Sequence, residues 1–130
     1  MSSVLMNQAL TKTKQIENIL SEKIKSIYQY KLEHQLDGIS LKIFDKTIIV
    51  IMEGTMTYPE RLLQENNRTS LAKKVRETID LWIEPYIKNT IEEVLNVKVV
   101  DFLSDTTIEN NCTGAIAILE FKPQQAAKSQ

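Results

Sequence analysis

The chain has 130 residues, of which 42% are apolar and 25% are charged, and its formal net charge is −1. This length fits one domain, and the apolar content excludes a wholly disordered protein. A net charge so close to zero also excludes bulk attraction to nucleic acid or to an acidic membrane, so we expect neither as a partner.

The first predicted element is an amphipathic helix that ends near His34. From Leu10 to Leu32 the apolar residues keep helical spacing, and no Gly or Pro interrupts them. We expect the residues before about Asn7 to be flexible. Gly38 then favours the chain reversal that ends this segment, because glycine readily adopts a left-handed conformation.

A β-hairpin is predicted next. Residues 39–44 alternate between apolar and polar, which is the period of a strand with one buried face. Residues 47–52 (TIIVIM) are apolar on both faces, and this pattern predicts an inner strand of the sheet. Asp45 and Lys46 form the turn between the two strands.

Two helices are predicted after the hairpin. Pro59 suits the first position of a short helix over residues 59–65. A long central helix then runs from about Thr69 to Asn96, because apolar residues recur at every fourth position. This stripe comprises Leu71, Val75, Ile79, Ile83 and Ile87. Pro85 lies inside this segment and removes one backbone hydrogen bond, so either the helix kinks there or one helix ends at Glu84 and another begins at Pro85. We expect the kink, because the apolar stripe continues in phase on both sides.

A second hairpin completes the predicted domain. Residues 97–104 and 114–121 have the pattern of strands, and the polar segment 105–113 joins them. The sequence therefore predicts an α+β fold in the order α-β-β-(α)-α-β-β, with a four-stranded sheet from two hairpins covered by two long helices. We expect residues 1–121 to form this single domain and residues 122–130 to be a disordered tail.

The predicted lengths indicate a dimer. A helix over residues 70–96 is about 40 Å long, whereas a seven-residue strand is about 23 Å long. Both long helices would therefore extend beyond the sheet, and the apolar stripe that extends with them would need cover. We expect a second copy of the chain to supply that cover, which predicts a homodimer.

Basic residues crowd the start of the central helix. They are Arg68, Lys73, Lys74 and Arg76. Unpaired backbone N–H groups and basic side chains can together bind a phosphate or another anion. Positive side chains are unfavourable this early in a helix unless they are paired. Either Glu60, Glu65 or Glu77 neutralises the cluster, or the cluster holds a phosphate-bearing ligand.

No catalytic or metal-binding constellation is visible in the sequence. His34 and Cys112 are the only histidine and the only cysteine, too few for a structural zinc site or an intrachain disulfide. The three glycines form neither a Walker A loop nor a dinucleotide fingerprint. We therefore expect no enzyme activity, no metal and no cofactor. Because no signal sequence or membrane span is recognisable, we expect a cytoplasmic protein that does not insert into membranes.

The order of several landmarks resembles the MpsC-like family of small bacterial domains. These landmarks are an apolar hairpin, the segment EGTMTYPERLL, the helical segment VRETID and the stretch IEEVLNVKVVDFLSDTTIENNCTGAIAIL. The resemblance covers about residues 14–121. Features shared by that family correspond here to Thr57 with Glu60 (T-x-x-E), Arg76, 94–99, Asp105 and 115–119. The glycine that usually precedes the third strand is Asn96 in this sequence.

The resemblance implies a link to a system that generates membrane potential by moving sodium or bicarbonate. It also marks Thr57, Glu60 and Arg76 as positions to test. We expect a non-enzymatic accessory or regulatory domain that acts through protein–protein contacts, with a membrane transporter as its expected partner. The alternative is a sensor of a small anionic ligand, such as a nucleotide or phosphate, with Arg68, Lys73 and Arg76 in its site.

Overall fold

The computed structural model describes the backbone of residues 2–123 and the side chains of residues 11–123. Its elements follow the predicted order and confirm the α+β class. They are α1 (Ser2–Leu32), β1 (Gly38–Phe44), β2 (Thr47–Glu53), α2 (Tyr58–Glu65), α3 (Thr69–Leu95), β3 (Val99–Thr107) and β4 (Cys112–Leu119). Helix α1 begins earlier than expected. Of the predicted tail, residues 124–130 lie outside the described residues, so the expectation of disorder stays a prediction.

The four strands form one sheet in the order β1-β2-β4-β3, and every neighbouring pair is antiparallel. The two predicted hairpins therefore meet through β2 and β4, and β2 is an inner strand as predicted. The second hairpin is longer than the sequence indicated, because residues 105–107 and 112–113 extend its strands. Thr106 and Thr113 pair across it, and their hydroxyls hydrogen-bond at 2.7 Å.

The long helices α1 and α3 pack on one face of the sheet and enclose the core. Helix α3 is continuous through Pro85. It ends at Asn96, which has the left-handed angles φ 55° and ψ 40°. Asparagine tolerates this conformation better than other residues with a side chain, so Asn96 can end the helix where glycine is more usual.

The buried face of α3 differs from the predicted stripe in its first half. Ile83 and Ile87 are 2% exposed, as the stripe requires, but Leu71 is 48% exposed. Ala72 and Arg76 are buried at that end instead. The apolar periodicity identified the second half of the helix correctly, whereas an ion-paired arginine determines which side of the first half faces inward.

The opposite face of the sheet, called here the outer face, is not covered by any other part of the described chain. It carries Ile49, Ile51, Leu103 and Ile116, which are 42%, 40%, 58% and 38% exposed, together with the partly exposed Ile118. Strand β2 is thus apolar on both sides, as the sequence indicated, but only one of its sides is covered by residues that the structure describes.

Candidate functional site

A group of polar side chains is buried where α2 and α3 meet the ends of the β3–β4 hairpin. We call it the Arg76 cluster. It comprises three charged residues and four threonines: Glu60, Arg76, Asp80, Thr55, Thr57, Thr106 and Thr113. Burying charged groups is costly unless they are paired, so this cluster is the site to account for in the fold.

Arg76 is at the centre of the cluster and its side chain is 2% exposed. Its Nε lies 3.3 Å from Asp80 Oδ1 and 3.5 Å from Glu60 Oε1, within ion-pair range but without hydrogen-bond geometry. Its Nη1 donates a hydrogen bond of 2.9 Å to the backbone carbonyl of Thr55. The guanidinium therefore links α3 to α2 and to the segment that follows β2.

Glu60 is completely buried although it lies on a helix of eight residues. Its Oε2 accepts hydrogen bonds from the backbone N–H and the hydroxyl of Thr57, both at 2.8 Å. Glutamate at the third helical position is the residue that returns a hydrogen bond to the cap. One carboxylate thus caps α2 and also faces Arg76 with its other oxygen.

Asp80 joins the cluster to the sheet. It lies one helical turn after Arg76, and its Oδ2 accepts a hydrogen bond of 2.9 Å from the Thr106 hydroxyl. A line of hydroxyls continues from there, through Thr113 to the buried Thr55 at 2.8 Å. Each buried hydroxyl has a partner, so these threonines hold the ends of β3 and β4 against the segment after β2.

The cluster combines one guanidinium with two carboxyl groups. Burial raises the pKa of Asp80 above its ordinary value of 3.8, and the Arg76 charge opposes that rise. The hydroxyl of Tyr28, on α1, is buried within range of the same charges and has no hydrogen-bond partner among the described residues. Burial raises the pKa of Tyr28 to about 12.

A family model described as "Na+-translocating membrane potential-generating system (MpsC)" matches residues 12–121. The chain belongs to the MpsC family. The resemblance inferred from the sequence is therefore confirmed, and its extent agrees closely with the match. No curated protein and no solved structure matches the chain.

Three of the positions that the resemblance marked lie together in the fold of this MpsC chain, whereas Asp105 is an exposed residue of β3. Thr57, Glu60 and Arg76 all lie in the Arg76 cluster. Arg68 and Lys73, the other two residues proposed for anion binding, lie outside it and are exposed. Neither forms an ion pair with another residue of the described part of the chain. The sequence left two alternatives for Arg76, pairing with a glutamate or binding of a ligand. In the structure, Arg76 pairs with Glu60.

Sequence reasoning marked Thr57 but missed Asp80, Thr55, Thr106 and Thr113. One signal was available: Arg76 and Asp80 are four residues apart, an ion-pair spacing, and both are in helical phase with the buried Ile83 and Ile87. A charge pair on the buried side of a helix predicts an internal ion pair. The threonines gave no comparable signal, because β-branched residues are ordinary in strands.

The chemistry available to this site is ion pairing and proton exchange. The Arg76 guanidinium supplies the positive charge of the cluster. Asp80, whose side chain is 14% exposed, is the member through which a proton can reach the cluster. Within residues 2–123, no three His, Cys, Asp or Glu side chains are grouped to hold a metal ion. No helix of that range is both long and apolar enough to cross a membrane.

Proposed function

We propose that this MpsC-family chain is a non-enzymatic accessory or regulatory domain that acts through protein–protein contacts on a system moving sodium or bicarbonate. The family description supports the link to a sodium-translocating, membrane-potential-generating system. The cytoplasmic location and the transporter partner expected from the sequence belong to this proposal as predictions.

The observation that carries the proposal is the outer face of the sheet. Four of its large aliphatic side chains are between 38% and 58% exposed and lie next to one another in the strand register. Contiguous exposed apolar surface of this kind is typical of a face that contacts another protein. By contrast, the charged side chains of the Arg76 cluster already pair with one another inside the fold.

The anion-sensor alternative now depends on fewer residues. Arg76 faces two carboxylates, so Arg68 and Lys73 would have to hold the ligand without it. A thermal-shift screen against nucleotides and inorganic phosphate separates the two functions. A shift that Arg68→Ala abolishes would favour the sensor, whereas the accessory proposal expects no shift.

The accessory proposal is tested in cells from which the chain has been deleted. We expect the deletion to lower membrane potential, measured with a voltage-sensitive dye, and the wild-type chain to restore it. Ile116→Glu, which places a charge at the centre of the outer face, should fail to restore it. Leu81→Glu is the matched control, because Leu81 is a 72% exposed leucine on α3. A membrane potential that does not change on deletion would overturn the proposal.

A further inference from the structure

We infer that the outer face binds the same face of a second copy of the chain, with the two sheets stacked and their strands aligned. In this arrangement Lys42 of each copy meets Asp101 and Asp105 of the other. The inference rests on the proposed function, because it names the first protein that the outer face contacts.

The strand register makes the outer face self-complementary. One row across the sheet consists of Lys42, Ile49, Ile116 and Leu103, in that order. A twofold axis parallel to the strands, between the stacked sheets, reverses the row in the second copy. Ile49 then lies over Ile116 of the other copy, and Ile116 over Ile49. The same operation places Ile51 over Gly114, which has no side chain to obstruct it.

The charges at the two edges of the sheet select this axis. It places β1 over β3, so that Lys42 lies over Leu103 of the other copy. Asp101 and Asp105 are two residues to either side of Leu103, about 7 Å away along the strand, within reach of a lysine. A twofold axis perpendicular to the strands would instead place β1 over β1 and β3 over β3, where like charges repel.

Lys42 is available for such a contact. Its side chain is 67% exposed, and its Nζ lies 3.9 Å from Glu17 Oε1. The Glu17 side chain is only 8% exposed, but its Oε2 also accepts the Ile43 N–H. At 3.9 Å the contact between Oε1 and the exposed ammonium is long, so Lys42 can turn toward a second carboxylate. Burial against another sheet would strengthen the new contact, because the surrounding water is then excluded.

Three backbone N–H groups of the edge strands β1 and β3 are already bonded to carboxylates, which disfavours pairing with a further strand and favours the face for association. On β1, the N–H of Ile43 donates to Glu17 Oε2 at 2.9 Å. On β3, Phe102 N–H donates to Asp101 Oδ1 and Thr106 N–H to Asp105 Oδ1, both at 2.9 Å. Carboxylates on edge strands prevent sheets from joining edge to edge.

The size of the face predicts a weak dimer. Four strands of seven residues cover about 19 by 23 Å, with aligned sheets packing about 10 Å apart. Two such faces bury on the order of 900 Å², the low end for specific interfaces. We therefore expect dissociation in the micromolar range and a dimer that forms and separates readily.

Sedimentation velocity on the purified chain, over a concentration series from low micromolar to millimolar, tests the inference. We expect a concentration-dependent dimer that Ile116→Glu abolishes. Lys42→Glu should weaken association about tenfold, a loss equivalent to roughly 1.4 kcal/mol. The pair Asp101→Lys and Asp105→Lys should weaken it similarly. Combining all three charge reversals should restore association, a recovery that damage to the fold would not produce. Circular dichroism melts confirm that each variant is folded.

Three results would overturn the inference: a monomer at all concentrations, a dimer that Ile116→Glu leaves intact, or no recovery on combined charge reversal. A dimer that Leu81→Glu abolishes would place the interface on the helices instead. The cellular assay separates this inference from the proposed function. If the chain is monomeric but Ile116→Glu still lowers membrane potential, the outer face binds a different protein and the proposed function stands.

Discussion

The two faces of the sheet differ in how completely the side chains beside them are covered. Beside the inner face, Arg76 and Glu60 are 2% and 0% exposed, whereas Ile49 on the outer face is 42% exposed. The charged groups can be buried because each faces a partner of opposite charge or a hydrogen-bonding group. The isoleucines of the outer face have no such cover from the described part of the chain. In this molecule, a charged side chain is buried where the fold supplies an opposite charge or a hydrogen-bonding group, and an apolar side chain stays exposed where the fold supplies no cover.

The largest expected effect concerns the charges beside the inner face. Arg76→Met keeps much of the side-chain volume but removes the guanidinium, so Glu60 and Asp80 lose the charge that compensates them. Breaking a buried ion pair in this way typically costs about 3–5 kcal/mol. We expect the free energy of unfolding, measured by urea titration followed by circular dichroism, to fall by that amount.

Arg68→Met is the control for this measurement, because Arg68 is exposed at the start of the same helix. We expect its effect to stay within about 0.5 kcal/mol, as is usual for surface positions. If Arg76→Met costs no more than Arg68→Met, the Arg76 cluster contributes nothing to holding α2 and α3 together. The conclusion that the charged groups beside the inner face are buried because they are paired would then be wrong.

A smaller difference is expected between two adjacent residues of β2. Ile48 is 0% exposed and faces the core, whereas Ile49 faces outward. Ile48→Ala should lower the free energy of unfolding by about 2–5 kcal/mol, because it leaves a cavity. Ile49→Ala should cost below about 1 kcal/mol in dilute solution, where the chain is monomeric. Equal costs in dilute solution would indicate that the outer face is covered within a single chain.

The same pair of variants sharpens the comparison at high concentration. Dimer formation stabilises the folded chain, and the fraction of dimer rises with protein concentration. The unfolding midpoint of the wild type should therefore rise with protein concentration. Ile49→Ala should reduce that rise, whereas Ile48→Ala should leave it largely intact. A midpoint independent of concentration in the wild type would argue against self-association.

Most of the fold could be predicted from the sequence, because it depends on local periodicity. The alternation in β1 and the unbroken helical spacing in α1 are properties of consecutive residues. The ends of the β3–β4 hairpin were not predictable in this way. Thr106 and Thr113 belong to strands because their backbones continue the β3–β4 pairing. Their hydroxyls contact each other, and Thr106 donates to Asp80 on α3, a contact between distant residues that leaves no local pattern.

The candidate site was predictable only in part, for a related reason. The family features identified Thr57, Glu60 and Arg76 as positions of interest, but not that they contact one another. The predicted stripe placed Leu71 inward because hydropathy favours leucine over arginine in a core. The structure buries Arg76 instead, since two carboxylates on separate elements converge on it. The Arg76–Asp80 spacing within α3 is a local signal, whereas the pairing of Arg76 with Glu60 on α2 is a tertiary property that helical period does not encode.

The smallest expected effect is the pH dependence contributed by Asp80. Burial raises its pKa above 3.8 in the folded chain. Between the ordinary and the raised value, the folded chain holds a proton that the unfolded chain releases, so the free energy of unfolding falls as pH rises. Below the ordinary value both states are protonated and this contribution is complete. The contribution is lost as pH rises through the raised pKa.

Asp80→Asn isolates this contribution, because the amide does not titrate but still accepts the hydrogen bond from Thr106. Urea unfolding of both chains, from mildly acidic to neutral pH, gives their difference in stability. We expect the wild type to lose stability relative to Asp80→Asn as pH rises. Glu65→Gln is the control, because it removes an exposed carboxylate of α2. A difference that changes in the opposite direction would mean that attraction to Arg76 exceeds the cost of burying Asp80. Attraction between the opposite charges of Arg76 and Asp80 would then be what holds the cluster together. Protonation of Asp80 would destabilise the folded chain, whereas we expect protonation to stabilise it.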